Sequence, residues 1–338
     1  MSSFIKPKVF NNLLKVQPKL TIPRKQVVRQ YSSRPVVEAS NGPTQRKKVT
    51  IHTLNNLHKK QIPISMLTAY DYPSGLWVEK SEADICLIGD SLGMVALGYP
   101  DTSSVTLEDM IHHSKAAFRG SKTAFRVVDL PMGTYELRPQ LALETCFKII
   151  KDTGAEAVKL EGGHEQTGVI NTLTQSGVAV VGHIGLTPQR LSQLGGFRIQ
   201  GKTADNAMRL VEDALAVQES GAIMMILECM PTLVAKMITQ HLSIPTIGIG
   251  AGAYCSGQVL VTPDAIGMYD RFVPKFCKQY AQITPTVVES LKAYNDEVKK
   301  GQFPTDANSY PMAEGEEELF LHKFNQRYLN GGLEFAEL

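Results

Sequence analysis

No two of the five cysteines (Cys86, Cys146, Cys229, Cys255, Cys277) form a C-x-x-C pair. That scatter offers neither a zinc-ligand spacing nor a disulfide framework, and reduced, mostly structural thiols are the expectation. No uninterrupted apolar run approaches about 18 residues, so no membrane-spanning helix is expected. No G-x-G-x-x-G opens a helix after the first predicted strand, which removes the main cue for a dinucleotide-binding sheet. Net charge is only +2, and much of the basic excess lies in the first 35 residues. The acidic body that remains argues against a nucleic-acid-binding surface. Neither nucleic acid nor a membrane is an expected partner.

Acid is missing from one stretch altogether. Before Glu38 there is none, while Lys6, Lys8, Lys15, Lys19, Arg24, Lys25, Arg29 and Arg34 are all present. A basic, hydroxyl-bearing, acid-free leader over residues 1–35 reads as a mitochondrial presequence, and it predicts a matrix location. Phe4, Ile5, Val9, Phe10, Leu13, Leu14 and Val16 supply an apolar face, and Arg29-Gln30-Tyr31-Ser32-Ser33 resembles a matrix-protease cleavage site. The plainer alternative is a disordered basic tail. Residues 36–47 read as a flexible linker.

With 43% hydrophobic and 20% charged residues, the remainder has the composition of a globular α/β protein. Val49, Ile51, Leu54 and Leu57 fall at helical spacing, predicting a short amphipathic helix over 48–60 that could plug the bottom of a barrel. Eight strands follow, at 64–69, 85–89, 126–129, 157–161, 178–182, 223–228, 246–250 and 259–261, with helical segments between most of them. Helix is also expected over 263–280 and 285–300. Alternation of this kind predicts a parallel sheet with crossover helices. Eight units in about 240 residues suit a closed (β/α)8 barrel over 48–303. Beyond it, residues 304–338 read as a polar, peripheral tail. Gly248-Ile249-Gly250-Ala251-Gly252 reads as a tight strand end where something approaches the backbone.

Active sites of such barrels lie at the carboxyl ends of the strands. There the chain sets Asp90-Ser91 after the second strand and Asp129 at the end of the third. Lys159 and Glu161 share one face of the fourth, Gly182-His183 ends the fifth, and Glu228 ends the sixth. Singly, each has an ordinary reading: Asp90 as a turn residue, Lys159 and Glu161 as a structural ion pair, His183 as a core histidine. Glu228 after five apolar residues needs a partner. Four carboxylates around one opening repel unless a cation or protons intervene. Without a Cys/His ligand set, Mg2+ or a similar hard divalent ion is the expected partner. An α-keto acid could chelate that ion and form an enolate beside it, with one carboxylate left as base and Lys159 neutralising negative charge. The residues alone predict metal-dependent enolisation of a small keto acid that makes or breaks a carbon–carbon bond.

Several stretches, in order over about residues 48–303, then match a known family: Met66–Asp71, Gly89–Met94, Asp129–Pro131, Val158–Gly163, Gly182–Pro188, Leu227–Cys229 and Ile247–Gly252, together with Gly195–Gly201 and Pro274–Phe276. On these the chain resembles the ketopantoate hydroxymethyltransferase family, in a mitochondrial form. The resemblance implies a barrel of the phosphoenolpyruvate/pyruvate superfamily that makes ketopantoate from 3-methyl-2-oxobutanoate. The implied co-substrate is 5,10-methylenetetrahydrofolate, and the step is the first committed one of pantothenate synthesis. It further implies Asp90, Asp129 and Glu161 at the metal, Asp90, Ser91, Asp129 and Lys159 at the keto acid, and Glu228 as general base. His183 is left as hydrogen-bonding support. Homo-oligomers, commonly decamers, are also implied. The loop 184–203 is expected to help cover the site. Residues 131–138 vary from the family's usual pattern, which bears on the folate side. A Mg-dependent carbon–carbon lyase of the same barrel superfamily is the alternative enzyme, and a non-catalytic scaffold is the alternative outside catalysis.

Overall fold

The computed structural model describes residues 46–329. The presequence read over 1–35, nearly all of the linker and the last nine residues of the tail lie outside the described residues. Helix α1 (Ile51–Lys59) precedes eight strands: β1 (Ile64–Thr68), β2 (Ile85–Ile88), β3 (Phe125–Asp129), β4 (Ala157–Glu161), β5 (Val180–Gly185), β6 (Met224–Glu228), β7 (Thr246–Ile249) and β8 (Gly257–Leu260). Helix α2 (Tyr72–Lys80) follows β1, and α3 (Leu92–Val95) and α4 (Leu107–Gly120) follow β2. After β3 comes α5 (Pro139–Thr153), and after β4 α6 (Thr167–Gln175). Helices α7 (Leu191–Leu194) and α8 (Ala204–Glu219) follow β5, and α9 (Thr232–His241) follows β6. After β8 come α10 (Thr262–Ala265), α11 (Ile283–Lys299) and α12 (Glu316–Tyr328). All neighbouring strands pair in parallel, and β8 pairs back onto β1, closing the barrel in chain order.

Period-two alternation sorts each strand into two faces. Outward residues such as Ile88, Val128, Leu160 and Leu227 pack beneath the helices. Inward residues at the lower ends (Ile64, Met66, Phe125, Val127, Met224, Ile226) fill the barrel with apolar side chains. Helix α1 closes that end. Thr50 caps it by accepting a hydrogen bond from the Thr53 N–H, and Leu54, 2% exposed, joins the interior cluster. The inward stripe turns polar only at the upper ends, at Asp129, Lys159, Glu161, His183 and Glu228. Register sets Asp129 beside Lys159 and Glu161 beside His183 on adjacent strands.

Three expectations need correction. The eighth strand, expected over 259–261, runs from Gly257 to Leu260, because Gly257 already pairs with Ile64 of β1 and Ile247 of β7. The fifth strand was expected over 178–182, but β5 starts at Val180 and runs to Gly185. The N–H of Val178 is spent on the Leu173 carbonyl, closing the end of α6, so the chain joins the ladder two residues later. His183 therefore lies inside the strand rather than at its end. Nor is 263–280 a helix. Helix α10 stops at Ala265, Gly267 takes φ +64°, and the chain becomes a strap whose ends are tied by Tyr280 N–H to the Ala265 carbonyl and Ile283 N–H to the Ile266 carbonyl.

Candidate active site

A cavity of about 360 Å3 opens at the carboxyl ends of the strands, and Asp90, Ser91, Asp129, Lys159, Glu161, His183 and Glu228 all line it. Asp129 is fully inside. Its Oδ2 accepts the Asp90 N–H at 3.0 Å and faces Lys159 Nζ at 3.0 Å, while its Oδ1 has no hydrogen-bond partner. Glu161 is divided in the same way. Its Oε2 accepts the Gln189 N–H at 3.1 Å, and its Oε1 is unpartnered by hydrogen bonds, with His183 Nδ1 3.5 Å away. His183 Nε2 lies 3.1 Å from Glu228 Oε2 without the alignment of a hydrogen bond. Ser91 Oγ is 2.8 Å from the Tyr70 hydroxyl.

This many buried charges set one another's protonation. Burial, then the negative charge of Asp129 and Glu161, pushes Asp90 up to about 8. Burial also raises Asp129, although Lys159 opposes it. For Glu161 burial acts upward, but His183 and Lys159 outweigh it and hold the carboxyl low. Burial and the nearby Lys159 act to lower His183, yet Glu161 and Glu228 carry it up to about 9. His183 Nδ1 also lies 3.3 Å from Lys159 Nζ, within hydrogen-bond reach.

The site's carboxylates bear on whether it suits a hard cation. Asp129 Oδ1 and Glu161 Oε1 are buried acceptors left open, and burial, then its carboxylate neighbours, drives Asp90 toward its neutral form. An all-oxygen donor set with open buried acceptors suits an ion that takes one or two direct carboxylates and completes its shell with water and substrate oxygens. The expected trio Asp90, Asp129 and Glu161 is not a closed ligand shell. Among the described residues no three His, Cys, Asp or Glu side chains stand in ligating geometry. The physical reason lies in the competing contacts: Gln189 and His183 engage Glu161, and Lys159 engages Asp129.

Gln189 went unnoticed in the sequence and is the hub of the site. Its Nε2 donates to Asp90 Oδ2 and to the Leu130 carbonyl, both at 2.8 Å, and its Oε1 accepts the Tyr135 hydroxyl at 2.6 Å. The helix-start residue Pro188 beside it is the only local cue; a neutral amide in a loop carries no chemical signature. The same loop supplies Leu186, Phe197, Arg198 and Ile199 to the cavity wall. The approach expected at Gly248–Gly252 is also visible. A Cβ on Gly250 (φ +64°) would come within 2.8 Å of the Phe276 ring, and one on Gly252 within 2.5 Å of Thr232 Oγ1. Phe276 belongs to the strap after β8.

Residues 48–306 match the family model for ketopantoate hydroxymethyltransferase. The 3-methyl-2-oxobutanoate hydroxymethyltransferase of Emericella nidulans is 48% identical over 297 residues, 87% of this chain and 84% of that relative. The chain belongs to the ketopantoate hydroxymethyltransferase family. A hydroxymethyltransferase of the same name from Heliobacterium modesticaldum is 49% identical over 266 residues, 79% of this chain and 96% of the relative. Solved structures place this hydroxymethyltransferase barrel in wider company. Phosphonopyruvate hydrolase, solved with oxalate and Mg2+, has a TM-score of 0.51 at 10% identity over 83% of this chain and 99% of its own. A 2,3-dimethylmalate lyase of the PEP mutase/isocitrate lyase superfamily has a TM-score of 0.50 at 14% identity, covering 84% and 98%. At these identities the likeness carries the fold alone.

Proposed function

We propose that the chain transfers a hydroxymethyl group from 5,10-methylenetetrahydrofolate to 3-methyl-2-oxobutanoate, giving ketopantoate and tetrahydrofolate. The observation that carries this reading is the convergence of Asp90, Asp129, Lys159, Glu161, His183 and Glu228 on one cavity in a member of this family. Asp90 and Asp129, with Glu161 beside them, would hold a divalent cation, Mg2+ or similar, which when bound supplies Lewis-acid polarisation of the keto carbonyl. Lys159 balances the substrate carboxylate or the developing enolate oxygen from a buried position. Ser91, steadied by Tyr70, hydrogen-bonds the keto acid. Glu228 takes the C3 proton, with His183 Nε2 3.1 Å away to stabilise its charge. Water finally supplies the hydroxyl that releases tetrahydrofolate, but only after the C3 carbanion has attacked the methylene carbon carried by the folate, forming the C–C bond as the C–N bonds to that carbon open. Apolar walls from Leu186, Phe197 and Ile199 limit water around that step.

Deuterium exchange at C3 of 3-methyl-2-oxobutanoate, with Mg2+ and without folate, tests the assignment. The intact enzyme should exchange, and Glu228→Gln should lose about 100-fold or more, as expected when a general base is removed. Full exchange in Glu228→Gln would reject it as the base. Folate-independent cleavage of an acyl substrate would instead favour the carbon–carbon lyase reading.

The proposed organisation is a presequence over 1–35, a linker over 36–47, the catalytic barrel over 48–303 and a tail over 304–338. Import into the mitochondrial matrix is supported by the eight Lys and Arg residues that precede the first acid. Sequencing the N-terminus of protein recovered from cells checks it: a start beyond the basic leader is expected, and a start at Met1 would count against it. The working form is a homo-oligomer, with a decamer as the specific expectation.

A further inference from the structure

Among the ionisable groups in the cavity that this mechanism leaves unassigned, one is a buried carboxylate. Asp264, in α10 just after β8, lines the cavity and is 9% exposed. Its Oδ1 is buried without a hydrogen-bond partner, and no side-chain hydrogen bond or ion pair engages its carboxylate among the described residues. Its backbone is firmly held: the N–H donates to the Val261 carbonyl and the carbonyl accepts Gln279 Nε2. The preceding residue pair is fixed as well, because Thr262 exchanges hydrogen bonds with Thr68 at the top of β1. A rigidly mounted, unpartnered, buried carboxylate is costly in the free protein unless a ligand supplies donors to it.

The two reactants differ in whether they can. The keto acid 3-methyl-2-oxobutanoate has a carboxylate and a ketone and no N–H or O–H donor at neutral pH. It would be repelled by Asp264 rather than bound. The reduced folate has a ring N–H and an exocyclic amino group side by side on its pyrimidine edge, spaced to meet both oxygens of one carboxylate, as the guanidinium fork does. The surroundings suit a flat heterocycle, since Tyr269, Phe272 and Phe276 of the strap line the same cavity. Asp264 also lies on the other side of β1 from the carboxylates that follow β2 and end β3, with Tyr70 after β1. Asp264 and the strap aromatics thus enter the cavity from after β8, whereas Asp90 and Asp129 enter it from β2 and β3.

We infer that Asp264 binds the amino-oxo pyrimidine edge of the folate co-substrate and so orients its one-carbon unit toward the keto acid. This rests on the proposed hydroxymethyl transfer. Holding that edge leaves the methylene bridge, at the opposite end of the reduced ring, free to face the C3 carbanion. Burial pushes the Asp264 carboxyl up to about 6, so it remains mostly ionised at neutral pH and able to accept both donors.

Asp264→Asn, nearly isosteric, tests this in the full-length enzyme with Mg2+. The expected result is a KM for methylenetetrahydrofolate raised about 10- to 100-fold, the loss of one charge-assisted contact pair. Folate-free C3 exchange, which reports the fold and the keto-acid half, should be retained. A tetrahydrofolate analogue lacking the 2-amino group should bind the wild type more weakly and show little further loss in Asp264→Asn. An unchanged folate KM, exchange falling in parallel with transfer, or additive losses with the analogue would each overturn the assignment. A wild type that neither exchanges nor transfers removes the functional reading and the inference with it. A wild type that does both, beside an Asp264→Asn variant with unaltered folate KM, removes the inference alone.

Discussion

Cys229 directly follows Glu228, the proposed general base, and has φ +47°. The left-handed region costs a non-glycine residue roughly 1–2 kcal/mol. The turn is held because both peptide groups of Cys229 are engaged: its N–H donates to the Ile249 carbonyl, and its carbonyl accepts the Gln200 N–H, each at 2.9 Å. Those bonds join the ends of β6 and β7 to the loop over the cavity, so the strain is spent on aiming Glu228. Burial, with Glu228 beside it, pushes the Cys229 thiol up to about 12, which makes it a poor nucleophile. Cys229→Gly should therefore be more stable than Cys229→Ala by about 1 kcal/mol, because both lose the thiol and only glycine releases the strain. Chemical denaturation of the two variants measures the difference; an alanine variant as stable as the glycine one would mean that no strain is stored there. At this scale legibility depended on chemistry. Glu228 stood out because a carboxylate ending an apolar run needs a reason. Gln189 did not, because a neutral amide acquires meaning only when it meets Asp90, 99 positions away in sequence. Asp264, after Pro263, looked like an ordinary residue in the first turn of a helix.

Elements were most legible where a single period governs. In β4 the alternation of Val158 and Leu160 with Lys159 and Glu161 is the alternation of helix-facing and cavity-facing positions, and helix α5 ends at Gly154 in the left-handed conformation that glycine suits. Boundaries failed where one peptide group serves two elements, as at Val178, or where a proline start was not followed by a continuing helix, as after Pro263. Ties between elements were invisible, because they depend on long-range approach. Glu79, near the end of α2, accepts the N–H groups of Lys122 and Thr123 in the turn ahead of β3. Burial acts to raise its carboxyl, but the Thr123 and Lys122 donors outweigh burial and hold it below the usual glutamate value. A carboxylate lowered in the folded state contributes stability that is present above its unfolded pKa and is lost as pH falls through the folded one. Melting temperature followed from pH 7 down to below the ordinary glutamate range should therefore fall more steeply in the wild type than in Glu79→Gln. The variant should be the less stable of the two at neutral pH and converge on the wild type in acid. Parallel curves would show that the tie contributes nothing through its charge.

Among the described residues, α11 carries an exposed apolar stripe that the chain's own fold does not cover. None of its 17 residues is buried, yet Val287, Leu291, Tyr294 and Val298 recur at helical spacing along one side, with Leu291 57% and Tyr294 52% exposed. An amphipathic helix normally turns such a stripe toward a core, and a contiguous apolar stripe left in water marks a surface that another chain covers. The proposed homo-oligomer supplies that cover. Burying side chains of this size contributes roughly 1.5–3 kcal/mol each, enough over four positions to matter for assembly. Leu291→Glu combined with Tyr294→Ser replaces the middle of the stripe with a charge and a hydroxyl, on a helix whose side chains stabilise nothing within the chain's own core. Light scattering after size exclusion should find the wild type as a multimer and the double variant as a smaller species. The melting transition of the barrel should shift little once dissociation is allowed for. A wild type running as a monomer would refute the oligomer outright. A double variant retaining the wild-type mass would show that copies meet through some other face, and that α11 is covered by something else or by nothing.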